Sequence, residues 1–412
     1  MGKAAELFLG ILTAMGGFVE IGELTFTLDG GAHFGYQLLW VTALGTLGIM
    51  VYCEMAGRVA AVKRRPVFSL IRERNGFTAA LATLLAANIV NLLTCTAEIG
   101  GVALIWQLMS GWPYRALLVA AMAFFLLVVW FMPFEWIERV FGLGGLLMIV
   151  FIAAVWTMGP DWGEMAAGFV PRPPQVQGPR DGLLYAYFAV ALMSSIMLPY
   201  ETYFYASGGI EDDWKPSDIS LNRFVVIVGF GLGALLSVAL VAIGAEFFGP
   251  HRIEPQLPGT AALAAAAQFG KLGLFIALLG MFFAFAGAAI ETALSGAYNL
   301  AQFAGWPWGK YKKPREAGRF SLTWIAAFVV GTLVVMSGID PVKVVEYSIV
   351  FSVVVLPFTY FPVLMVANDR RIMGEHANGL LAKVLGWFFL VAITVTALAA
   401  IPLFILTHGG RG

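Results

Sequence analysis

The stretch FVEIGELT, residues 18–25, decides how the rest of this sequence is interpreted. It puts Glu20 and Glu23 on either side of Gly22, inside an apolar run from about 7 to about 28 that is long enough to cross a bilayer. Carboxylates are costly at that depth, and where they occur they usually mark an ion or substrate pathway. The stretch therefore predicts an interrupted membrane helix that carries a functional acidic site.

Composition agrees with a membrane location. Of 412 residues, 60% are hydrophobic and only 12% are charged, with a mean hydropathy of +0.83. This leaves too little polar surface to cover a soluble globule, so we predict an all-α polytopic membrane protein. Two cysteines, Cys53 and Cys95, lie in apolar runs and are expected to be small buried side chains. No phosphate-binding loop is present, so nothing indicates ATP-driven transport, and the lack of HExxH and paired CxxC motifs disfavours a metalloprotease or a zinc cluster. We expect a transporter and not an enzyme.

Apolar runs long enough to span a bilayer number about eleven. They lie near 7–28, 36–62, 77–108, 114–133, 136–158, 183–207, 222–248, 263–303, 320–338, 343–368 and 380–407. We predict one transmembrane domain over residues 1–412, with one repeat at about 7–158, a second at about 183–368 and an extra helix at about 380–407.

Charge in the connecting loops predicts the orientation. Lys and Arg concentrate in the loops after spans two, six, eight and ten, as in Lys63, Arg64 and Arg65 after span two. The opposite set of loops carries few. The positive-inside rule then puts the N-terminus in the cytoplasm. No cleaved signal peptide is predicted, and the short loops suggest a prokaryotic inner membrane.

A second interrupted span lies five spans after the first. The run ALMSSIMLPYETYFYASGG, residues 191–209, is broken by Pro199, and Glu201 follows two residues later. Two broken spans at this spacing are typical of a transporter built from two five-helix repeats, in which freed backbone carbonyls coordinate the substrate near the midplane.

These motifs resemble a known family. VEIGELTFTLDGGAHFGYQLLWV, residues 19–41, resembles the first-helix signature of the NRAMP (natural resistance-associated macrophage protein) divalent-metal transporters, Asp-Pro-Gly-Asn followed by GxxFGYxLLWV. IMLPYETYFY, residues 196–205, resembles the Met-Pro-His motif of their sixth helix. Residues 96–113, 277–306 and 348–366 resemble the third, eighth and tenth helices. The resemblance implies a LeuT-type inverted repeat that carries divalent metals inward, usually with protons.

The resemblance also implies the ligands. Glu20 stands at the family's Asp, Glu23 at its Asn and Leu198 at its Met, and backbone carbonyls at the breaks, near Phe18 and Ser195, complete the set. The sulfur ligand is therefore replaced by an apolar side chain.

The replacement of sulfur changes the expected selectivity. Carboxylate and carbonyl oxygens suit Mg²⁺, Ca²⁺ and Mn²⁺, whereas thioether sulfur favours softer metals. We therefore expect Mg²⁺ or Mn²⁺ to be preferred over Fe²⁺. Met197 could replace Leu198 only by a one-residue shift, which the intact Leu-Pro step disfavours.

Several positions near the two motifs are open to two interpretations. Glu201 is either a third carboxylate at the ion, which would require a bound proton or a more highly charged cargo, or a side chain that faces a neighbouring helix. Glu98 matches the third-helix acidic position and is either a proton carrier or a packing residue. Tyr200 stands where the family has a histidine linked to proton traffic, and Glu291 and Cys95 are candidates for the cavity lining.

Two further charged pairs receive structural interpretations. Asp29 and His33 are expected in the outer vestibule or at the surface, and Glu54 with Arg58 as an i,i+4 salt bridge at a helix end.

We expect secondary-active uptake of a divalent metal ion, with proton coupling and oligomeric state left open. No resident cofactor and no nucleic-acid partner are expected. The main alternative is a LeuT-fold carrier of an organic solute, most simply a cation, because two glutamates would repel a carboxylate. A channel or sensor is a third class, but the sequence offers no soluble signalling domain.

Overall fold

The computed structural model describes residues 19–175, 178–255, 257–339 and 341–410. The described residues are 85% helical and form no strand. The main helices are α1 (Ile21–Phe34), α2 (Leu39–Lys63), α3 (Val67–Asn75), α4 (Phe77–Ser110), α5 (Tyr114–Phe131), α6 (Phe134–Gly145), α7 (Ile149–Met158), α8 (Trp162–Ala167), α9 (Pro179–Ile196), α10 (Pro199–Glu211), α11 (Ile219–Ile243), α12 (Ala262–Ala304), α13 (Gly318–Met336), α14 (Pro341–Asn368) and α15 (Leu380–Leu406).

The predicted spans are found at the predicted places. In the described residues, 10 helical segments are long and apolar enough to cross a membrane. The first, Ile21–Lys63, joins the end of predicted span one to span two, which explains the difference from the predicted eleven. Residues 7–18 of span one lie outside the described residues.

Helices α1 and α2 run in opposite directions. Helix α1 passes from Glu20 to the π-helical turn Gly244–Phe248, against which Gly31 packs. The short turn Gly35–Leu38 follows α1. Helix α2 then leads back toward the break at Pro199, since its Gly48 lies against Met197. A Cβ on Gly31 would lie 2.2 Å from the carbonyl oxygen of Val241, so only glycine allows this close packing.

The interior is built by α4 and α12, which pack along each other, with α14 on a further side of α4. Helix α2 packs against α10 and α11. The broken pair α9 and α10 lies between these groups, since α9 contacts α1, α2, α14 and α15. The broken pair is therefore surrounded by other helices.

The basic loops meet at one end of the molecule. Arg64, after α2, pairs with Asp213, after α10, and Arg74, at the end of α3, pairs with Asp369, after α14, at 3.2 Å. The loops that the positive-inside rule assigns to one side of the membrane therefore do lie together.

Candidate metal site at two helix breaks

The start of α1, where the first break is predicted, is held by Glu20 itself. Val19 and Glu20 are not helical, and α1 begins at Ile21 with Glu20 as its N-cap (φ −113°, ψ 172°). Oε1 of Glu20 accepts a 3.1 Å hydrogen bond from the backbone N–H of Glu23. A carboxylate at this position satisfies a free N–H and is favoured by the helix dipole. Phe18, whose carbonyl is a predicted ligand, lies outside the described residues.

Glu98 reaches the same helix end from α4. Its Oε1 accepts a 2.8 Å hydrogen bond from the backbone N–H of Ile21, and its carboxylate lies beside that of Glu20. Its Oε2 has no hydrogen-bond partner among the described residues. The residue predicted for proton traffic is thus in direct contact with the N-terminus of α1.

Glu23 is the least satisfied side chain of the site. It is fully buried, and neither carboxylate oxygen has a hydrogen-bond partner among the described residues. The charge of Glu20 acts on it, and the hydroxyl of Ser237 in α11 lies nearby. A buried carboxylate without a partner is costly, so its oxygens are available to a cation.

A side chain at Gly22 would displace the carboxylate of Glu20. A Cβ at this residue would lie 2.5 Å from Oε1 of Glu20 and 2.7 Å from Cδ1 of Ile349 in α14. Glycine therefore lets the Glu20 carboxylate fold back over the start of α1.

The second break frees a backbone carbonyl. Helix α9 ends at Ile196, Met197 and Leu198 are not helical, and α10 begins at Pro199. In a continuous helix the carbonyl of Ser195 would accept from residue 199, but proline has no N–H. The break predicted at Pro199 is therefore present, and the Ser195 carbonyl lacks its helical donor.

Ile349 in α14 touches both breaks. Its side chain covers Gly22, and its backbone carbonyl accepts a 3.2 Å hydrogen bond from the hydroxyl of Ser194. Tyr200 is fully buried at the start of α10, and the charges of Glu20 and Glu98 act on it. The two interrupted segments therefore meet at one place inside the protein.

Sulfur is directed away from the break. The Sδ atom of Met197 packs against Gly48 of α2, where an added Cβ would approach it to 2.6 Å. Leu198 is buried at the break itself. The Met197 sulfur therefore points to α2, and the match of Leu198 to the family's methionine stays a prediction.

Glu201 is not brought to Glu20 and Glu23. The charged group that acts on it is Glu291 of α12, and Cys53 of α2 also faces it. Within the described ranges, no group of three or more His, Cys, Asp or Glu side chains could hold a metal ion. The structure therefore offers a site with two glutamates and leaves Glu201 in a second, separate acidic region.

The remaining predicted residues lie away from the glutamate pair. Cys95 is buried between α4 and α12, with Sγ 3.7 Å from the carbonyl oxygen of Ala289. Asp29 and His33 lie near the far end of α1 and pair at 3.2 Å.

The predicted salt bridge between Glu54 and Arg58 is present, at 3.0 Å. Sequence reasoning missed Ser237 and an ion pair between Glu138 and Lys310. A lone serine in an apolar run carries no signal for a site.

The family comparison decides the identity. A family model described as natural resistance-associated macrophage protein-like matches residues 10–402. The chain belongs to the NRAMP family. It is therefore a multi-pass membrane protein and not an enzyme, as the sequence predicts.

Relatives and solved structures agree with this assignment. The divalent metal cation transporter MntH of Deinococcus radiodurans is 27% identical over 405 residues, covering 95% of this chain and 88% of the relative. That of Levilactobacillus brevis is 25% identical over 408 residues, covering 94% and 86%. A crystal structure of the Eremococcus coleocola manganese transporter, in complex with an aromatic bis-isothiourea substituted compound, has a TM-score of 0.76 at 20% identity, covering 99% and 88%.

A more distant structure matches the same architecture. MhsT in complex with L-phenylalanine has a TM-score of 0.62 at 15% identity, covering 97% of this chain and 98% of that one. These structural likenesses establish the LeuT-type fold predicted from the two broken spans.

Proposed function

We propose that this NRAMP member moves a divalent metal ion across the membrane, with the carboxylates of Glu20 and Glu23 and the carbonyl oxygen of Ser195 as ligands. One observation carries the proposal. Both oxygens of Glu23 are buried without a hydrogen-bond partner in the described residues, directly beside Glu20 at a helix break. A divalent cation would neutralise the pair, which nothing else in the described chain does.

The donor set favours hard cations. Two carboxylates and a backbone carbonyl supply oxygen only, Leu198 is apolar, and the Met197 sulfur packs against α2. Oxygen ligands suit Mg²⁺ and Mn²⁺, and Mg²⁺ keeps part of its water shell, which reduces the number of protein ligands it needs. We propose Mg²⁺ or Mn²⁺ as the cargo. The named relatives are metal transporters, so they give no support to an organic cation.

The mechanism we propose is alternating access. The bound ion removes the repulsion between Glu20 and Glu23, which lets α1 and α10 move relative to the helices around them. Glu98 accepts a hydrogen bond from the first N–H of α1. A change in its protonation would therefore change the electrostatic field at the ion site. We propose that Glu98 carries or senses a proton during the cycle.

The test is uptake into proteoliposomes of the purified protein with Mg²⁺, Mn²⁺, Ca²⁺ and Fe²⁺, each at several pH values. Glu20→Gln should abolish uptake, and Glu23→Asn should shift it toward Fe²⁺. Glu135→Gln is the matched control, because Glu135 is an exposed glutamate on α6. Entry of no ion into wild-type vesicles would reject metal transport. An unchanged ion profile in Glu23→Asn would remove Glu23 from the ligand set.

A further inference from the structure

A small cavity between α6 and α12 has a carboxylate on each side. It has a volume of about 30 Å³, and Glu138 of α6 and Glu291 of α12 both line it. The other lining residues are apolar or glycine: Phe134, Ile137, Phe141, Gly142, Phe283, Ala284, Gly287 and Ile290. A cavity of roughly 10–15 Å³ is enough for one water molecule when polar partners are present. This cavity therefore has room for water between two acids.

The two acids differ in their partners. Glu291 forms no hydrogen bond or ion pair with any residue that the structure describes, and the charge that acts on it is that of Glu138. Glu138 is paired, since one of its oxygens lies 3.6 Å from Nζ of Lys310. An unpaired carboxylate in apolar surroundings holds a proton more readily than a carboxylate beside a cation. Glu291 is therefore the acid of the pair that more readily holds a proton, and Glu138 the one that more readily gives it up.

Lys310 connects this pair to the protein surface. Its side chain is only 3% exposed, and Nζ lies 3.4 Å from Asp212, whose side chain is 40% exposed. Burial would lower the pKa of Lys310, but the carboxylates of Glu138 and Asp212 outweigh burial and raise it. Lys310 therefore stays charged, and it holds Glu138 next to an acid that reaches solvent. Glu135 is a further charged neighbour of Glu138 on α6.

The other end of the series approaches the second helix break. The charge of Glu291 acts on Glu201 in the first turn of α10. The neighbouring Tyr200 lies within reach of the charges of both acids and also of those of Glu20 and Glu98. Cys53 and Tyr360 also face Glu201, from α2 and α14, and neither brings a positive charge. The acidic residues thus form a series from the second helix break to Asp212 at the surface, and Glu98 is not part of this series.

We propose that Glu291 and Glu138 form a proton relay between the second helix break and the surface at Asp212. Protonated Glu291 gives its proton to a water in the cavity, and that water passes a proton to the Glu138 carboxylate. Glu138 then releases the proton toward Asp212, and the water is regenerated. One proton moves and nothing else is consumed. The relay goes beyond the proposed ion transport and holds whichever ion is carried.

A purely structural role predicts a different geometry. Two acids that brace α6 against α12 would share a direct hydrogen bond, and the described residues show none between Glu291 and Glu138. Instead, both residues line one cavity that is large enough for a water molecule. The geometry is that of groups that exchange protons through water.

The test measures proton entry into proteoliposomes with an enclosed pH-sensitive dye, under an inward pH gradient and a fixed membrane potential. Mn²⁺ uptake is followed in the same preparation. Glu291→Gln and Glu138→Gln are compared with wild type, with Glu291→Asp as the conservative variant and Glu375→Gln, at a side chain that is 89% exposed, as the control. Glu291→Gln breaks no bond formed by described residues, so its fold is not at risk.

We expect Glu291→Gln and Glu138→Gln to lower the initial proton flux by about tenfold or more, with Glu291→Asp retaining part of it and Glu375→Gln all of it. A flux in Glu291→Gln within about twofold of wild type overturns the relay, as does a wild-type protein that carries no protons. A failure of Mn²⁺ entry in every sample, with proton flux intact, counts against the proposed ion and not against the relay.

Discussion

The backbone N–H of Ile21 donates a 2.8 Å hydrogen bond to Oε1 of Glu98, so the first residue of α1 is held by a side chain of α4. The two residues are 77 positions apart in the chain. Free N–H groups at a helix start are normally satisfied by a local cap, and here Glu20 supplies one cap while Glu98 supplies a tertiary one. The position at which α1 begins is thus fixed by a side chain of a neighbouring helix.

Glu98 should contribute to stability through this bond. Replacing it with Ala leaves the buried N–H of Ile21 without an acceptor, which should lower the free energy of unfolding by about 1–3 kcal/mol. Glu98→Gln keeps an oxygen at the same place and should cost much less. Thermal unfolding in detergent, with no metal added, checks both variants. Equal losses in the two would show that the bond is not what Glu98 contributes.

Gly22 should be needed for ion binding. In Gly22→Ala the new methyl would collide with Oε1 of Glu20 and Cδ1 of Ile349, at 2.5 and 2.7 Å. Trimming Ile349 to Ala relieves only one of these contacts, so the double variant should remain defective. We expect Mn²⁺ affinity, measured by calorimetry, to fall at least about tenfold, or ~1.4 kcal/mol.

Gly231→Ala is the control for that substitution. In α11 the nearest atom to an added Cβ at Gly231 is Cε of Met50, at 4.0 Å. This variant should bind Mn²⁺ like wild type. If Gly22→Ala also binds normally, the close approach of Glu20 to α1 is not part of the ion site.

The sequence predicts the two helix breaks, the spans and the pairing of Glu20 with Glu23, because each leaves a local signal. Gly22 and Pro199 interrupt apolar runs, and the glutamates stand at family motif positions. Glu201 could not be assigned in this way. Which neighbour it faces depends on the rotation of α10 after the break, and the structure turns it toward Glu291.

The link between Glu138 and Lys310 was also out of reach of the sequence. The two residues belong to α6 and to the loop after α12, and they are close only because α12 packs along α6. Spacing along the chain carries no information on such a contact.

Leu198 should control the preference for soft metals. Leu198→Met puts a thioether at the break with nearly the same volume, so the fold should lose less than about 1.5 kcal/mol. We expect Cd²⁺ to compete for the site on the order of tenfold more strongly, because sulfur favours softer ions. Leu356→Met, buried in α14, adds a thioether elsewhere and should not change the competition. Unchanged Cd²⁺ competition in Leu198→Met would place residue 198 outside the ligand sphere.

Lys310 should stabilise the protein through its two carboxylates. Lys310→Gln leaves Glu138 and Asp212 without their cation, which should cost about 3–5 kcal/mol, as expected for breaking a buried ion pair. The double variant Lys310→Gln with Glu138→Gln should lose less than the sum of the single changes, by about 0.5–3 kcal/mol. Unfolding in detergent measures all three. Simple additivity would mean that Lys310 and Glu138 do not interact.

The contribution of Lys310 should also have a definite pH dependence. The folded protein raises the pKa of Lys310 above its unfolded value of about 10.4, because the carboxylates outweigh burial. A base whose pKa is higher in the folded than in the unfolded state contributes its full stabilisation below the unfolded-state pKa. That stabilisation is lost as the pH rises through the folded-state pKa. The difference in stability between wild type and Lys310→Gln should therefore be constant from about pH 6 to about pH 9 and shrink above about pH 10. A difference that already falls between pH 7 and 9 would mean that Lys310 loses its proton far more easily than its carboxylate neighbours allow.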